Sequence, residues 1–256
     1  MQKSRKTCEK VHRDFLLTTS KLAATINSQK TFSPNEEQQD SLLPAAALES
    51  RMRLRYTVNS PFARKARVVA HELGMADSIE LVSTALRTQD RAFWADNPIA
   101  KVPVLVTNEG FSLSDSNVIM EYLNVVHGQG RLLAASGPQR WKDLTLISTA
   151  DAVVEAAILA RSETARPPEQ QNKLRIEQEM AKVARGLDAI DKALEDDMPG
   201  QPVFGLAGIA VSSALGWLEL RFGPELLFNT RPGLGAWWAQ AMARPSMQAT
   251  QPSPDA

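Results

Sequence analysis

Residues 60–65 read Ser-Pro-Phe-Ala-Arg-Lys, and they follow almost directly on the stretch Leu-Arg-Tyr-Thr-Val at 54–58. The earlier stretch alternates and is rich in β-branched and aromatic side chains, which predicts a strand. Serine before proline typically starts a helix, because the serine hydroxyl accepts a hydrogen bond from the first turn and proline fits the first helical position. We therefore predict a strand that passes into a helix ending near Gly74.

The elements that follow extend this unit into an α/β domain. Residues 79–82 predict a second strand, and a strand, helix and strand in succession imply parallel pairing. After a stretch that we interpret as irregular, through Trp94 and Pro98, residues 104–106 and 111–113 flank a four-residue turn and predict a hairpin. Residues 116–126 carry apolar side chains at helical spacing.

Strand signals stop beyond Gly137 and Pro138. Apolar stripes over 144–158 and 174–194 predict two long helices, and residues 206–220 are apolar on nearly every side, which is typical of a central buried helix. A further helix is expected around Trp237 and Trp238, followed by a loose tail. We therefore predict a disordered extension over residues 1–51, an α/β domain over 52–129 and an all-helical domain over 138–250.

Composition excludes several classes of function. The chain has 256 residues and a formal net charge of 0, which gives no electrostatic reason to expect nucleic acid. No apolar run reaches the roughly 18 residues that a membrane span needs. Cys8 is the only cysteine, so a Cys-x-x-Cys pair and a thiolate metal cluster are excluded, and the spacing of His12, His71 and His127 suggests no metal site. Any thiol chemistry must use a thiol from outside the chain.

Over residues 52–252 the sequence resembles the glutathione S-transferase family, in its bacterial type with serine at the motif position. The resemblance rests on the order and spacing of four motifs, which are Ser60-Pro61-Phe62-x-Arg64-Lys65, Asn97-Pro98-x-x-Lys101-Val102-Pro103-Val104-Leu105, Leu113-x-Asp115-Ser116-x-x-Ile119-x-x-Tyr122-Leu123 and Arg244-Pro245-Ser246. It implies a thioredoxin-like domain followed by a helical one, in a cytoplasmic homodimer. The expected co-substrate is glutathione, whose thiol attacks a hydrophobic electrophile, with no metal, nucleic acid or membrane partner.

The resemblance also implies a catalytic residue. Ser60 would donate a hydrogen bond to the sulfur of glutathione, helped by the positive end of the helix dipole, because the thiolate is the reactive form. Asn59 is the alternative thiol donor, and Phe62 belongs to the glutathione site. The residues themselves leave a simpler reading open for Ser60, since a helix cap alone explains its position.

The remaining site residues are expected to bind the glutathione backbone and its ends. The resemblance implies a cis bond between Val102 and Pro103, so that Val102 pairs with the peptide as an added strand, and it places Lys101 near a carboxylate. Asp115 and Ser116 would hold the ammonium and carboxylate of the γ-glutamyl group. An ordinary trans proline, a solvated Lys101 and a purely capping role for Asp115 and Ser116 are the alternatives.

Some positions depart from the family pattern or stay open. Gly205 and Gly208 stand where the family has a serine or threonine cap and an aspartate. Arg64 and Lys65 are interpreted as solvated helix residues. Asp151 lies in an apolar stripe and needs a partner, and the alternatives are that it tunes the second-substrate pocket or that it makes a hydrogen bond within the domain or across a dimer. A non-catalytic glutathione-binding or protein-interaction protein and a glutathione-dependent peroxidase are the competing functions, and the second substrate cannot be read from the sequence.

Overall fold

The computed structural model describes residues 51–85, 90–197 and 204–253, all within one compact unit. The predicted extension over residues 1–51 lies outside this part of the chain, apart from Arg51. Within the described residues no helix is long and apolar enough to cross a membrane. The predicted boundary between an α/β domain at 52–129 and a helical domain at 138–250 stays a prediction.

The first part of the fold is a four-stranded mixed sheet with thioredoxin-like topology. Strands β1 (Met52–Tyr56), β2 (Ile79–Ser83), β3 (Val104–Val106) and β4 (Ser112–Leu113) lie in the order β2-β1-β3-β4. β1 pairs with β2 in parallel, with Leu54 opposite Leu81, and with β3 in antiparallel, with Leu54 opposite Leu105. The predicted parallel unit and hairpin are therefore confirmed.

Three helices accompany the sheet. Helix α1 (Pro61–Glu72) begins at the predicted Ser60 cap, and Gly74, at a φ of +71°, follows its end. Helix α3 (Ser116–Tyr122) begins at Asp115 and continues into a π-helical turn, Leu123–His127. Helix α2 (Arg91–Asp96) lies in the stretch that was predicted to be irregular, so that prediction is wrong. The Asp90 carboxylate caps α2 by accepting from the amides of Ala92 and Phe93.

The rest of the described chain is helical. Its elements are α4 (Pro138–Thr164), α5 (Lys173–Asp197), α6 (Leu206–Phe222), α7 (Glu225–Phe228), α8 (Pro232–Met242) and α9 (Pro245–Ala249). Helix α6 is buried along its length from Leu206 to Leu218, as its apolar composition predicts, and it packs between α4 and α1. One hydrophobic core therefore runs from the sheet into the helices.

The segment after α8 differs from the predicted loose tail. It forms α9, and the Thr250 side chain that follows is fully buried, with its hydroxyl donating to the Ser246 carbonyl at 2.8 Å. The prediction failed because α9 is only five residues long and carries no repeating apolar pattern.

Candidate functional site

A cavity of about 490 Å³ opens where the loops at one end of the sheet face α4. Apart from the two proposed thiol donors, its lining includes every residue predicted to contact glutathione, namely Phe62, Lys101, Val102, Pro103, Asp115 and Ser116. It also includes residues without a predicted ligand role, namely Asn97, Ile99, Ser114, Val118, Asp151 and Glu155. The fold thus brings residues of the first three motifs to one place, whereas Ser60 and Asn59 are not among the lining residues.

One wall of the cavity is the start of α3. The Asp115 carboxylate accepts hydrogen bonds from the Asn117 amide at 2.9 Å and the Val118 amide at 3.4 Å, both through Oδ1. Ser116 is buried at the first helical position, where the backbone amides carry partial positive charge. Capping and ligand binding are compatible here, because within the described residues the cap uses only one carboxylate oxygen of Asp115.

A second wall is the loop before β3, in which the Val102–Pro103 bond is cis as expected. Sequence reasoning gave no role to Asn97, which shapes this loop. Its side chain is buried, its amide nitrogen donates to the Lys101 carbonyl at 2.8 Å, and its Oδ1 accepts from the Ile99 amide at 3.2 Å. The only sequence signal for this role is that Asn97 precedes Pro98, because asparagine before proline favours a turn.

Ser60 caps α1 at the edge of this arrangement. Its Oγ accepts from the Ala63 amide at 3.1 Å, and its own amide donates to the Thr57 carbonyl at 3.1 Å. The capping bond occupies a lone pair of the hydroxyl, whose proton can still be donated. Asn59, the alternative donor, pairs with the backbone of Ser253, with its Nδ2 donating to the carbonyl and its Oδ1 accepting from the amide, each at 2.9 Å.

At the wall of the cavity lies a partly buried ionic cluster of Lys65, Asp151 and Asn117. The Lys65 ammonium donates to Asp151 Oδ1 at 2.6 Å, to Asp151 Oδ2 at 2.9 Å and to Asn117 Oδ1 at 2.8 Å. The side-chain nitrogen of Asn117, Nδ2, in turn donates to Asp151 Oδ2 at 2.8 Å. Asp151 therefore has partners within the same chain, Lys65 on α1 and Asn117 on α3.

Lys65 and Arg64 are 1% and 2% exposed, so the interpretation of both as solvated residues is wrong. Burial lowers the pKa of Lys65, and the adjacent Asp151 carboxylate offsets part of that effect. Burial, with a contribution from the nearby Arg67, lowers the pKa of Arg64 to about 10, which still leaves it protonated at neutral pH. Both cations are therefore structural ties between α1 and its neighbours.

The charges around the cavity are arranged by sign. Lys101 is exposed on the β3 side, whereas Asp115, Asp151 and Glu155 approach from α3 and α4. Exposed backbone at a cis proline, a helix start and both signs of charge suit an extended peptide ligand with a zwitterionic end. Among the described residues no cluster of three or more histidine, cysteine or acidic side chains could hold a metal ion.

Comparison with known proteins agrees with the fold. The sequence profile of the glutathione S-transferase N-terminal domain matches residues 59–125. A Methylobacillus flagellatus KT glutathione S-transferase, solved with glutathione bound, is 35% identical, with a TM-score of 0.73, and the match covers 79% of this chain and all of that one. A Pseudomonas fluorescens Pf-5 family member with bound glutathione is 33% identical, with a TM-score of 0.71 and coverage of 79% and 99%.

The uncharacterized GST-like protein YibF of Escherichia coli (strain K12) is 29% identical over 201 residues, which are 78% of this chain and 98% of that protein. A thioredoxin-like sheet followed by a bundle of helices defines the class of fold, and identity above 30% over 79% of this chain identifies the family within that class. The chain belongs to the glutathione S-transferase family.

Proposed function

We propose that the protein is a glutathione transferase, which binds glutathione in the cavity and activates its thiol for attack on a hydrophobic electrophile. The observation that carries the proposal is the convergence of Val102, Asp115 and Ser116 on one cavity of about 490 Å³. Asp115 and the start of α3 would hold the γ-glutamyl ammonium and carboxylate, and Val102 would pair with the peptide backbone. Lys101 would meet the glycyl carboxylate, with Phe62 packing beside the ligand.

Ser60 would supply the chemistry. Its hydroxyl would donate to the sulfur at the positive end of α1, which favours the thiolate over the thiol, and the thiol proton would leave to solvent. The thiolate would then form a carbon–sulfur bond with the electrophile. In a displacement the negative charge leaves with the group that departs from that carbon, and in an addition it passes to the atom that receives the electrons of the broken bond. Asn59 is the alternative donor.

A non-catalytic glutathione-binding protein is the second candidate. The observation that favours it is that Ser60 is already used as a helix cap and is not among the residues that line the cavity. On either proposal we expect a cytoplasmic homodimer. Support for a dimer comes from three exposed apolar side chains, each 47 to 58% exposed, which are Phe111 just before β4, Val118 on α3 and Val125 in the π-helical turn after α3.

The test is calorimetric titration with glutathione together with thiol consumption in the presence of epoxide, enone and halonitroarene electrophiles. Wild type should bind and turn over, and Ser60→Ala should bind but lose activity by about 100-fold or more, as when one donor to a developing anion is removed. Ser60→Asp keeps a capping oxygen but cannot donate, so it should also be inactive while α1 remains stable.

Ser60→Thr, which retains the hydroxyl, is the matched control and should stay active. Binding without turnover in the wild type would favour the non-catalytic candidate. No binding of glutathione at all would contradict both.

A further inference from the structure

We propose that Asn59 is a positioning residue, which ties the C-terminal segment to the turn before Ser60 and thereby fixes the hydroxyl that activates the thiol. The inference rests on the proposed function. It starts from the reciprocal bonds between the Asn59 side chain and the Ser253 backbone, both at 2.9 Å and joining positions 194 residues apart. Such a pair needs a donor and an acceptor on one short side chain, which an asparagine amide provides.

The C-terminal segment reaches Asn59 along α1. Near the end of that helix, the Glu72 carboxylate accepts from the Arg244 guanidinium at 3.0 and 2.8 Å and also from the Ser246 hydroxyl. At the first turn of α1, the Arg64 guanidinium donates to the Met247 carbonyl at 2.9 Å. The segment therefore runs from the end of α1 back to its start.

The contact of Arg64 with this segment is a built feature of the fold. A Cβ at Gly216 of α6 would lie 2.1 Å from Arg64 Nη1, so a side chain at residue 216 would force the guanidinium to shift from this position. The Arg64 Nε also lies 3.4 Å from Thr250 Oγ1. Thr250 is fully buried and only three residues before Ser253, so the end of the segment is held close to Asn59.

The restraint falls on the residue directly before the proposed thiol donor. Ser60 is also held by two hydrogen bonds of its own, since its backbone amide donates to the Thr57 carbonyl and its hydroxyl accepts from the Ala63 amide. The pairing at Asn59 adds a third restraint on this turn. Rotation of the Asn59–Ser60 peptide would move the hydroxyl, and a donor stabilises an anion best when it is already in place. Loss of the tie should therefore weaken thiolate stabilisation and leave the remaining ligand contacts unchanged.

The experiment measures the pKa of the glutathione thiol when bound to the protein, from the ultraviolet absorbance of the thiolate as a function of pH. Ser253→Pro removes the amide that Asn59 accepts from, and a chain ending at Gln251 removes Ser253 altogether. Both should raise the thiol pKa by about one unit, a tenfold weaker acid. Ser253→Ala, the matched control, keeps both backbone groups and should behave as wild type.

Affinity for S-methylglutathione, which has no ionisable thiol, is the second readout and should change less than about threefold in all variants. It also shows that the variants are folded. If Ser253→Pro and the shortened chain keep the wild-type thiol pKa, the inference is wrong. If, in addition, Asn59→Ala raises the thiol pKa, Asn59 is the direct donor to the sulfur. A different outcome is that the wild-type protein binds S-methylglutathione but does not lower the thiol pKa of bound glutathione. That would overturn the proposed catalysis, and the inference with it.

Discussion

Replacement of Lys65 by methionine is the sharpest test of the partly buried ionic cluster. The change keeps an unbranched side chain, one atom shorter, and removes an ammonium whose three donors are all used, by the two Asp151 oxygens and by Asn117. Asp151 is then left as a carboxylate without its cation in a site where Lys65 itself is 1% exposed. Removing one member of a buried ion pair costs about 3 to 5 kcal/mol.

The lower end of that range applies, because the Asp151 side chain is 18% exposed and borders the cavity, where water can hydrate it. We expect Lys65→Met to lower the free energy of unfolding by about 3 kcal/mol, which for a chain of this size is a fall in Tm of roughly 6 to 12 °C. The assay is urea denaturation followed by circular dichroism, at one fixed protein concentration because a dimer would shift the midpoint.

A second replacement identifies the cause. In Lys65→Met combined with Asp151→Leu both charges are gone, so stability should return to within about 1 kcal/mol of wild type, with the Asn117 amide accounting for the remainder. The matched control is Lys192→Met, at an exposed lysine on α5, which should change the free energy of unfolding by less than about 0.5 kcal/mol. A loss below about 1 kcal/mol in Lys65→Met, or a double variant as unstable as the two single changes added together, would refute the reasoning.

Two further predictions concern the helices that support the site. Burial raises the pKa of Glu72, but its bonds to Arg244 outweigh this and hold the value below the ordinary 4.5. The stabilisation is therefore present above about pH 4.5 and lost as the pH falls through the lower folded value, so Glu72→Gln should cost about 1 kcal/mol at pH 7 and progressively less as the pH is lowered below 4.5, measured by urea midpoints. In Gly186→Ala the new Cβ would lie 2.2 Å from Val153 Cγ2 and should cost about 2 kcal/mol by the same assay, whereas Gly208→Ala, with contacts of 3.4 Å or more, should not destabilise.

Most of the fold could be predicted because its signals are local. The Ser60 cap, the glycine after α1 and the hairpin turn each depend on a few adjacent residues, and α6 is apolar on every side. Helix α2 was missed because it buries a single side chain, Phe93, and six residues show no apolar period. Its start was marked only by the Asp90 cap.

The ligand-binding motifs of the candidate site could be predicted from the sequence, but the polar contacts that hold those motifs in place could not. The motifs at Val102 and Asp115 are short and local, but the burial of Lys65 depends on Asp151, which lies 86 residues further along the chain. Sequence reasoning recognised that Asp151 needs a partner and could not identify it, because a lysine on a helix is usually solvated. The pairing of Asn59 with Ser253 could not be predicted either, because the two residues lie 194 positions apart in the sequence.

Helix α1 is thus tied by polar groups on several sides. Lys65 joins it to α3 and α4, Arg64 and Glu72 join it to the C-terminal segment, and Asn59 holds the turn before it. Buried ionic pairs contribute little more to stability than apolar packing of the same size, but they are directional and fix the position of a helix along its axis. The cavity needs that position, because Ser60 and Phe62 are set by the start of α1 and Asp115 by the start of α3. In the Lys65→Met and Asp151→Leu double variant, stability and glutathione affinity should therefore separate, with the first recovered and the second reduced.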